Sequence, residues 1–318
     1  MGQEIQFPKN FERFIELGQE AINQQNFSKA VDYFSKAYEI APDFPLNFLL
    51  TNTLFDLGEV EEALELAQEF KRDYYLHIDY LVFYIQLLVG NHQFVQAHQI
   101  LNERILQDNS EEMNKLVRVK KEVRHAELLY RQFEKRKINE LKEELLQLTK
   151  LPAFEQMAQV KKSIQLPQDD FLEVAKVLLL KPETNIFVKS WLIEELSGMN
   201  IREKITFLWL NKGERAMIPA ELSQPYESQT YKRMIAMIEK ELGNNDPILL
   251  INMVEEIRIQ FALLYPFADE VIAEPELWAL AYLEEYAVDF ESHEDPAIMK
   301  EVRKEQRKLR IMLNEAMV

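Results

Sequence analysis

The sequence predicts an all-α protein: an N-terminal α-solenoid of helix pairs, then a C-terminal helical domain that carries one β-hairpin. Three observations predict it. Alanines recur at 30, 63 and 97, 33 and 34 residues apart, each preceded three residues earlier by a large apolar side chain, Phe27, Val60 and Phe94. A period of that length with a small residue at its centre is a helix–turn–helix repeat, whose units bury one face only by stacking on the next. Most of the remaining chain keeps its apolar residues at 3–4 spacing, the period of an amphipathic helix. Only the stretch KITFLWLNKGERAMIPAEL, at 204–222, alternates as a strand does and then turns.

The first repeat carries the clearest pattern. Phe14, Leu17 and Gly18 lie on its first helix, and NFSKAVDYFSKAYEIAPDFP, residues 26–45, is its second. In that second helix Ala30, Phe34 and Ala37 alternate small, large and small, and Pro42 closes the unit. Small residues let two helices approach where their ridges cross, and the large one fills the space beside the crossing. The contexts EVEEALELA and QFVQAHQIL continue the repeat with less regularity: Thr51 and Ile85 stand where Gly18 does, and Ala67 and Phe70 reverse the order of Phe34 and Ala37.

This pattern resembles the tetratricopeptide (TPR) repeat, whose consensus asks for W-x2-L-G-x2-Y, then A-x3-F, then a proline. Phe14, Leu17, Gly18, Ala30, Phe34 and Pro42 fill those places, and Ala21 replaces the tyrosine. The resemblance covers about residues 11–109. It implies a three-repeat TPR array over 1–110 that binds a peptide or helix along a concave face lined by the first helix of each repeat. The positions carried over are Ile15, Phe48 and Val82; then Gln19, Asn52 and Gln86; then Ile22, Phe55 and Val89. The middle set could pair with the backbone of an extended peptide, because a carboxamide both donates and accepts. Glu12, Asp56 and Asp79 would add negative charge. The lysines and arginines that a TPR carboxylate clamp uses are missing from these positions.

Residues 111–150 form a long capping or linking helix, or two helices with a short break. Ser110 is placed as its N-cap with Glu111 and Glu112 in the first turn. Leu116, Val119, Val123, Ala126, Tyr130 and Phe133 make its apolar seam, whose phase slips at 135–137. Residues 151–318 read as the helical domain. Helices are expected at 168–180 and 184–197, a pair similar to a HEAT-type unit, and near 226–242, 247–264, 275–290 and 296–316. Asp246-Pro247 and Asp295-Pro296 are cap and first-turn signals. The hairpin is placed near 204–220, with Ile205, Phe207 and Trp209 inward. Gly198 and Gly243 are expected to close helices in the left-handed conformation. This layout, with LLYPF at 263–267, resembles an uncharacterised group of TPR-containing proteins from low-GC Gram-positive bacteria.

Composition sets limits on function. The 54 acids outnumber the 37 bases, for a net charge of −17. Residues 111–150 are the exception, with 8 acids and 11 bases. An acidic chain repels phosphate backbones at long range, so general nucleic-acid binding is disfavoured. There are no cysteines, which excludes disulfides and thiol chemistry. No apolar run is long enough to span a bilayer, and MGQEIQFPKN lacks the marks of a signal peptide. A cytoplasmic protein with no membrane partner is the expectation. The seven glycines are too far apart to cradle a phosphate, and no HExxH or GxSxG motif occurs. Glu122 and His125 make a single ExxH, short of what a di-iron bundle needs. The acid pairs Glu194-Glu195, Glu255-Glu256 and Glu284-Glu285 are sequence neighbours that cannot share one helix face. The expectation is a non-enzymatic scaffold or adaptor without metal or cofactor, binding a protein or peptide. The alternatives are an RNA-linked or regulatory protein using the basic helix 115–137, an enzyme with an acidic site in the C-terminal domain, and a homo-oligomer using the long helix.

Overall fold

The structure is a computed structural model, and it describes residues 7–107, 112–210, 213–243, 245–287 and 290–317. The expected cap at Ser110 with Glu111, and the Asn211-Lys212 half of the hairpin turn, lie outside these residues. The chain divides into two compact units, 1–132 and 133–318.

The first unit is a run of helix pairs. They are α1 (Phe7–Asn23) with α2 (Phe27–Ile40), α3 (Phe44–Leu57) with α4 (Val60–Glu69), and α6 (Ile78–Gly90) with α7 (Phe94–Gln107). A single extra turn, α5 (Lys71–Tyr74), precedes α6, and α8 (Glu112–Phe133) follows the last pair. Local chemistry sets the boundaries. Asn26 caps α2 by accepting from the Lys29 amide, and Asp43 caps α3 by accepting from the Leu46 amide at 2.8 Å, with Pro45 in the first turn. Gly58 ends α3 at φ 90°, where a side chain would be strained.

The alanine code reads out as packing. Ala30, Phe34, Ala37, Ala63, Ala67 and Ala97 are all fully buried. Gly18 on α1 faces Phe34 on α2 so closely that a Cβ there would lie 2.3 Å from the ring. Asn47 is fully buried too, and it is saturated. Its amide donates to Leu66 O at 2.9 Å and to the Tyr38 hydroxyl at 3.0 Å, and its carbonyl accepts from the Tyr74 hydroxyl at 3.0 Å. Four helices, α2 to α5, are thereby tied to one side chain.

α8 covers the third pair with Leu116, Val119 and Val123. The pairing is also polar. Tyr130 stacks on His92 at 4.2 Å between centroids, and His98 Nε2 lies 3.0 Å from Glu127 Oε2 with both residues buried. The 111–150 stretch is two helices: α8, nearly all in the first unit, and α9 (Lys135–Leu146) in the second. Glu134, at φ −111° and ψ 24°, is the break, next to the slip in apolar phase.

The second unit continues with α10 (Ala153–Val160), α11 (Gln168–Leu180) and α12 (Ile186–Gly198), then β1 (Ile205–Leu208) antiparallel to β2 (Glu214–Met217). It closes with α13 (Gln229–Leu242), α14 (Pro247–Leu264), the turn α15 (Ala268–Val271), α16 (Pro275–Tyr286) and α17 (Pro296–Met317). α11 and α14 match the expected spans to the residue. Asp246 caps α14 through the Leu249 amide, and Asp295 accepts from the Ala297 amide at the start of α17. Ile205, Phe207 and Trp209 point inward as their alternation predicts, and Phe267 lies against the last two rings at 6.0 and 5.2 Å. A separate core forms from Met234, Ile238, Ile257, Phe261, Trp278 and Tyr282.

Two glycines depart from expectation. Gly198 is still helical, and Asn200 takes the left-handed position instead, at φ 55°. A short polar side chain tolerates that region because it can bond to local backbone. Gly243 stays right-handed at φ −53°. The chain leaves α13 through Asn245 and Asp246, whose amides both bond to Leu242 O.

Candidate functional site

On α1, α3 and α6 the expected groove residues fall at i, i+4 and i+7, which is one face of each helix. Ile15 and Ile22, Phe48 and Phe55, Val82 and Val89 are all half-buried, packed by one side against the repeat core. Gln19 and Gln86 are exposed, Asn52 is half-buried and Asp56 is exposed. None of the three carboxamides makes a side-chain hydrogen bond among the described residues. The face therefore carries polar capacity that the fold does not use, beside apolar surface that it only half covers.

The structure brings the rings together more than the residue pattern suggested. Phe48 lies 4.8 Å from Tyr80 and 5.4 Å from Phe83, and Phe55 lies 5.7 Å from Phe83, all edge-on. Phe44 joins them, 5.0 Å from Tyr80. Sequence reasoning missed Phe44, Tyr80 and Phe83, because the family positions point to Val82. The density of rings in FPLNF and YLVFY was the available signal. Phe44, Phe48, Tyr80 and Phe83, with Phe55 against Phe83, form a wall along α3 and α6. Edge-to-face contacts of this kind add roughly 0.5–1.5 kcal/mol each beyond area burial.

The charges on this face differ from the expectation in one respect. Asp79 is paired with Lys115 of α8, which offsets part of its negative charge, although its side chain stays largely exposed. Glu12 and Asp56 remain exposed. Neither α3 nor α6 contains a lysine or arginine.

The basic strip of α8 is partly spent on its own unit. Lys115 pairs with Asp79, Lys120 donates to Asn102, and Arg124 lies 3.5 Å from Glu127. Arg118, Lys121 and His125 are exposed, and Glu122 is exposed beside them. No group of three or more acidic, histidine or cysteine side chains placed to hold a metal occurs among the described residues.

In the second unit the paired acids serve the packing of α17. Arg310 donates to both oxygens of Glu285, at 2.7 and 3.0 Å, and to Glu256 at 3.1 Å, while Glu284 takes Arg303. Such bidentate pairing keeps the Arg310 guanidinium charged. Burial pushes the Glu194 carboxyl up from the usual carboxylate range. A cavity of about 350 Å³ lies nearby between residues 221–229 and 261–269, with Tyr265 on its wall. A second cavity, of about 320 Å³, is lined by Thr184, Ile186, Lys189, Leu208, Leu263 and Met312, with Glu183 and Glu315 among its other walls. No described helix is long and apolar enough to cross a membrane.

The chain is similar along nearly its whole length to the TPR repeat-containing protein YsoA of Bacillus subtilis. The two are 22 % identical over 300 residues, which is 91 % of this chain and 86 % of that protein. No family model matches this chain. The resemblance to TPR-containing proteins of low-GC Gram-positive bacteria therefore extends past the repeats and through the second unit.

Proposed function

We propose that the protein is an interaction scaffold that binds a peptide or helix of a protein partner on the face shared by α1, α3 and α6. The observation that carries this reading is the row of unspent carboxamides, Gln19, Asn52 and Gln86, flanked by half-exposed apolar side chains. An extended segment offers one N–H and one C=O per residue, and a carboxamide meets both needs. Phe48 and Phe55 supply apolar contact from a wall that their neighbours already hold in place, which limits the ordering cost on binding. The exposed acids Glu12 and Asp56, and the absence of bases on α3 and α6, favour a neutral or basic segment over one ending in a captured carboxylate. The printed name of the Bacillus relative, a TPR repeat-containing protein, fits this reading.

The test is a photo-crosslinking amino acid at position 86, compared with one at Glu65 on the second helix of the second repeat. Crosslinking to a protein from position 86 alone, abolished by Phe55→Glu with Gln19→Ala in a folded chain, is the expected result. Equal crosslinking from both positions, or no effect of the double substitution, would overturn it. The RNA-linked alternative is weakened by the engagement of Lys115, Lys120 and Arg124 within the unit. Its own signature would be a salt-dependent mobility shift that Arg118→Glu with Lys121→Glu removes.

A further inference from the structure

Lys189 sits in α12 with only 4 % of its surface exposed. An ammonium has three donors to satisfy. Among the described residues Nζ makes one hydrogen bond, to Leu208 O at 3.4 Å, near the long limit for such a bond. Thr184, five residues earlier and just ahead of α12, is 3 % exposed, and its hydroxyl has no partner among the described residues. Both line the cavity of about 320 Å³ whose other walls include Ile186, Leu208, Leu263 and Met312. That volume lies at the small end of ligand sites, and the lining is mixed, with Glu183, Asn185 and Glu315 beside the apolar residues.

The wall is held in place by the fold. Gln156 is buried, and its amide donates to Leu151 O at 3.0 Å and to Glu183 O at 3.3 Å, while its carbonyl accepts from the Asn185 amide at 2.9 Å. Asn185 in turn donates to Ala316 O at 2.6 Å. The 182–185 segment is thus clamped between α10 and the end of α17, with Thr184 at its centre.

We propose that this cavity binds a small organic carboxylate with an apolar body, gripped at its buried end by Lys189 Nζ and Thr184 Oγ1. A buried ammonium with one weak partner is costly, and a carboxylate would give it a counter-charge and a strong hydrogen bond at once. The second carboxylate oxygen can accept from the threonine hydroxyl. Ile186, Leu208, Leu263 and Met312 suit an apolar body, and the Glu183 and Glu315 carboxylates would repel the higher charge of a phosphate more than that of a monocarboxylate. Among the described lining residues the charged groups facing Lys189 are Glu183 and Glu315, both exposed at the mouth. Burial lowers the Lys189 pKa, and the Glu183 charge opposes that shift only in part. Binding an anion favours the ammonium, so affinity falls as pH rises through the Lys189 pKa.

Titration calorimetry of the full chain with 4-methylpentanoate tests this. Saturable binding is expected, weakened about ten- to a hundred-fold by Lys189→Met and more modestly by Thr184→Val. The pH dependence should disappear in Lys189→Met. Thr184→Val keeps the lysine, so it stays informative if Lys189→Met fails to fold. Leucine adds an ammonium to the same apolar body. Comparable binding of leucine would assign the ligand to amino acids, with Glu183 and Glu315 facing the ammonium. Its failure beside a binding acid would assign the ligand to simple carboxylic acids, and either result upholds the site. Absence of saturable binding by both compounds, equal binding of 4-methylpentan-1-ol, or unchanged affinity in Lys189→Met would overturn it.

Discussion

Asn47 in the repeat unit and Lys189 in the second unit are both polar side chains buried in the middle of helical packing, and they are treated in opposite ways. Asn47 spends its carbonyl oxygen and both amide hydrogens on Tyr74, Tyr38 and Leu66. Lys189 spends one bond at 3.4 Å and faces a cavity. The first arrangement fixes a structure, because every group is satisfied and no ligand could improve it. The second leaves capacity for a ligand. In the repeat unit the unspent carboxamides, Gln19, Asn52 and Gln86, lie on the outer face, although the buried Thr51 hydroxyl is also without a partner among the described residues. In the second unit unspent groups lie inside, at Lys189 and Thr184.

The largest expected effect bears on the repeat core. Phe34→Ala removes a fully buried ring and should cost about 3–5 kcal/mol of the first unit's stability. The three tryptophans, Trp191, Trp209 and Trp278, all lie in the second unit, so tryptophan fluorescence in a urea titration reports that unit alone. Circular dichroism, which sees all the helices, should show the loss. Asn47→Leu should cost about 2–3 kcal/mol by the same measurement, since it strands the buried Tyr74 hydroxyl and removes the tie among α2, α3, α4 and α5. Lys189→Met tests the contrast directly. Replacing an under-paired buried ammonium with an apolar chain of similar length should raise stability by about 1 kcal/mol at neutral pH. A lowered folded-state pKa means the unfolded chain binds more protons, so this gain should shrink as pH rises toward the unfolded lysine value of 10.5. A destabilised Lys189→Met would break the comparison by showing that the lysine is structural.

The smallest effect is alkaline. Burial pushes the Tyr74 phenol up to about 12, and burial with the Glu69 hydrogen bond does the same for Tyr38. In the unfolded chain both titrate near 10. The folded state therefore holds protons that the unfolded state has lost, and this share of stability, complete below pH 10, declines between 10 and 12. Urea midpoints followed by circular dichroism should fall across that range, and less steeply in Tyr38→Phe.

The repeat array was legible because its code is local. Ala30, Phe34 and Ala37 are one turn apart on one helix, and the same small residue returns after 33 and 34 residues. Asp-Pro pairs marked α14 and α17 for the same reason, since a cap and a fixed φ act within one turn. The groove face was legible as a position on each helix, but the ring wall of Phe44, Phe48, Tyr80 and Phe83 needed two helices side by side. The partner of Asp79, Lys115, lies 36 residues later and could not be read from the local pattern.

The sequence by itself determined the repeat helices with their period, the longer helices of the second unit other than α10, and the hairpin, because amphipathic spacing, caps and breakers act over a few residues. Only the tertiary structure decided which polar groups would be used up. Asn47 is satisfied by partners 9, 19 and 27 residues away. Lys189 is left short by a cavity whose walls come from α12, β1, α14 and α17. Hydrogen-bond satisfaction is settled between distant segments, and a one-dimensional pattern does not record which of them meet.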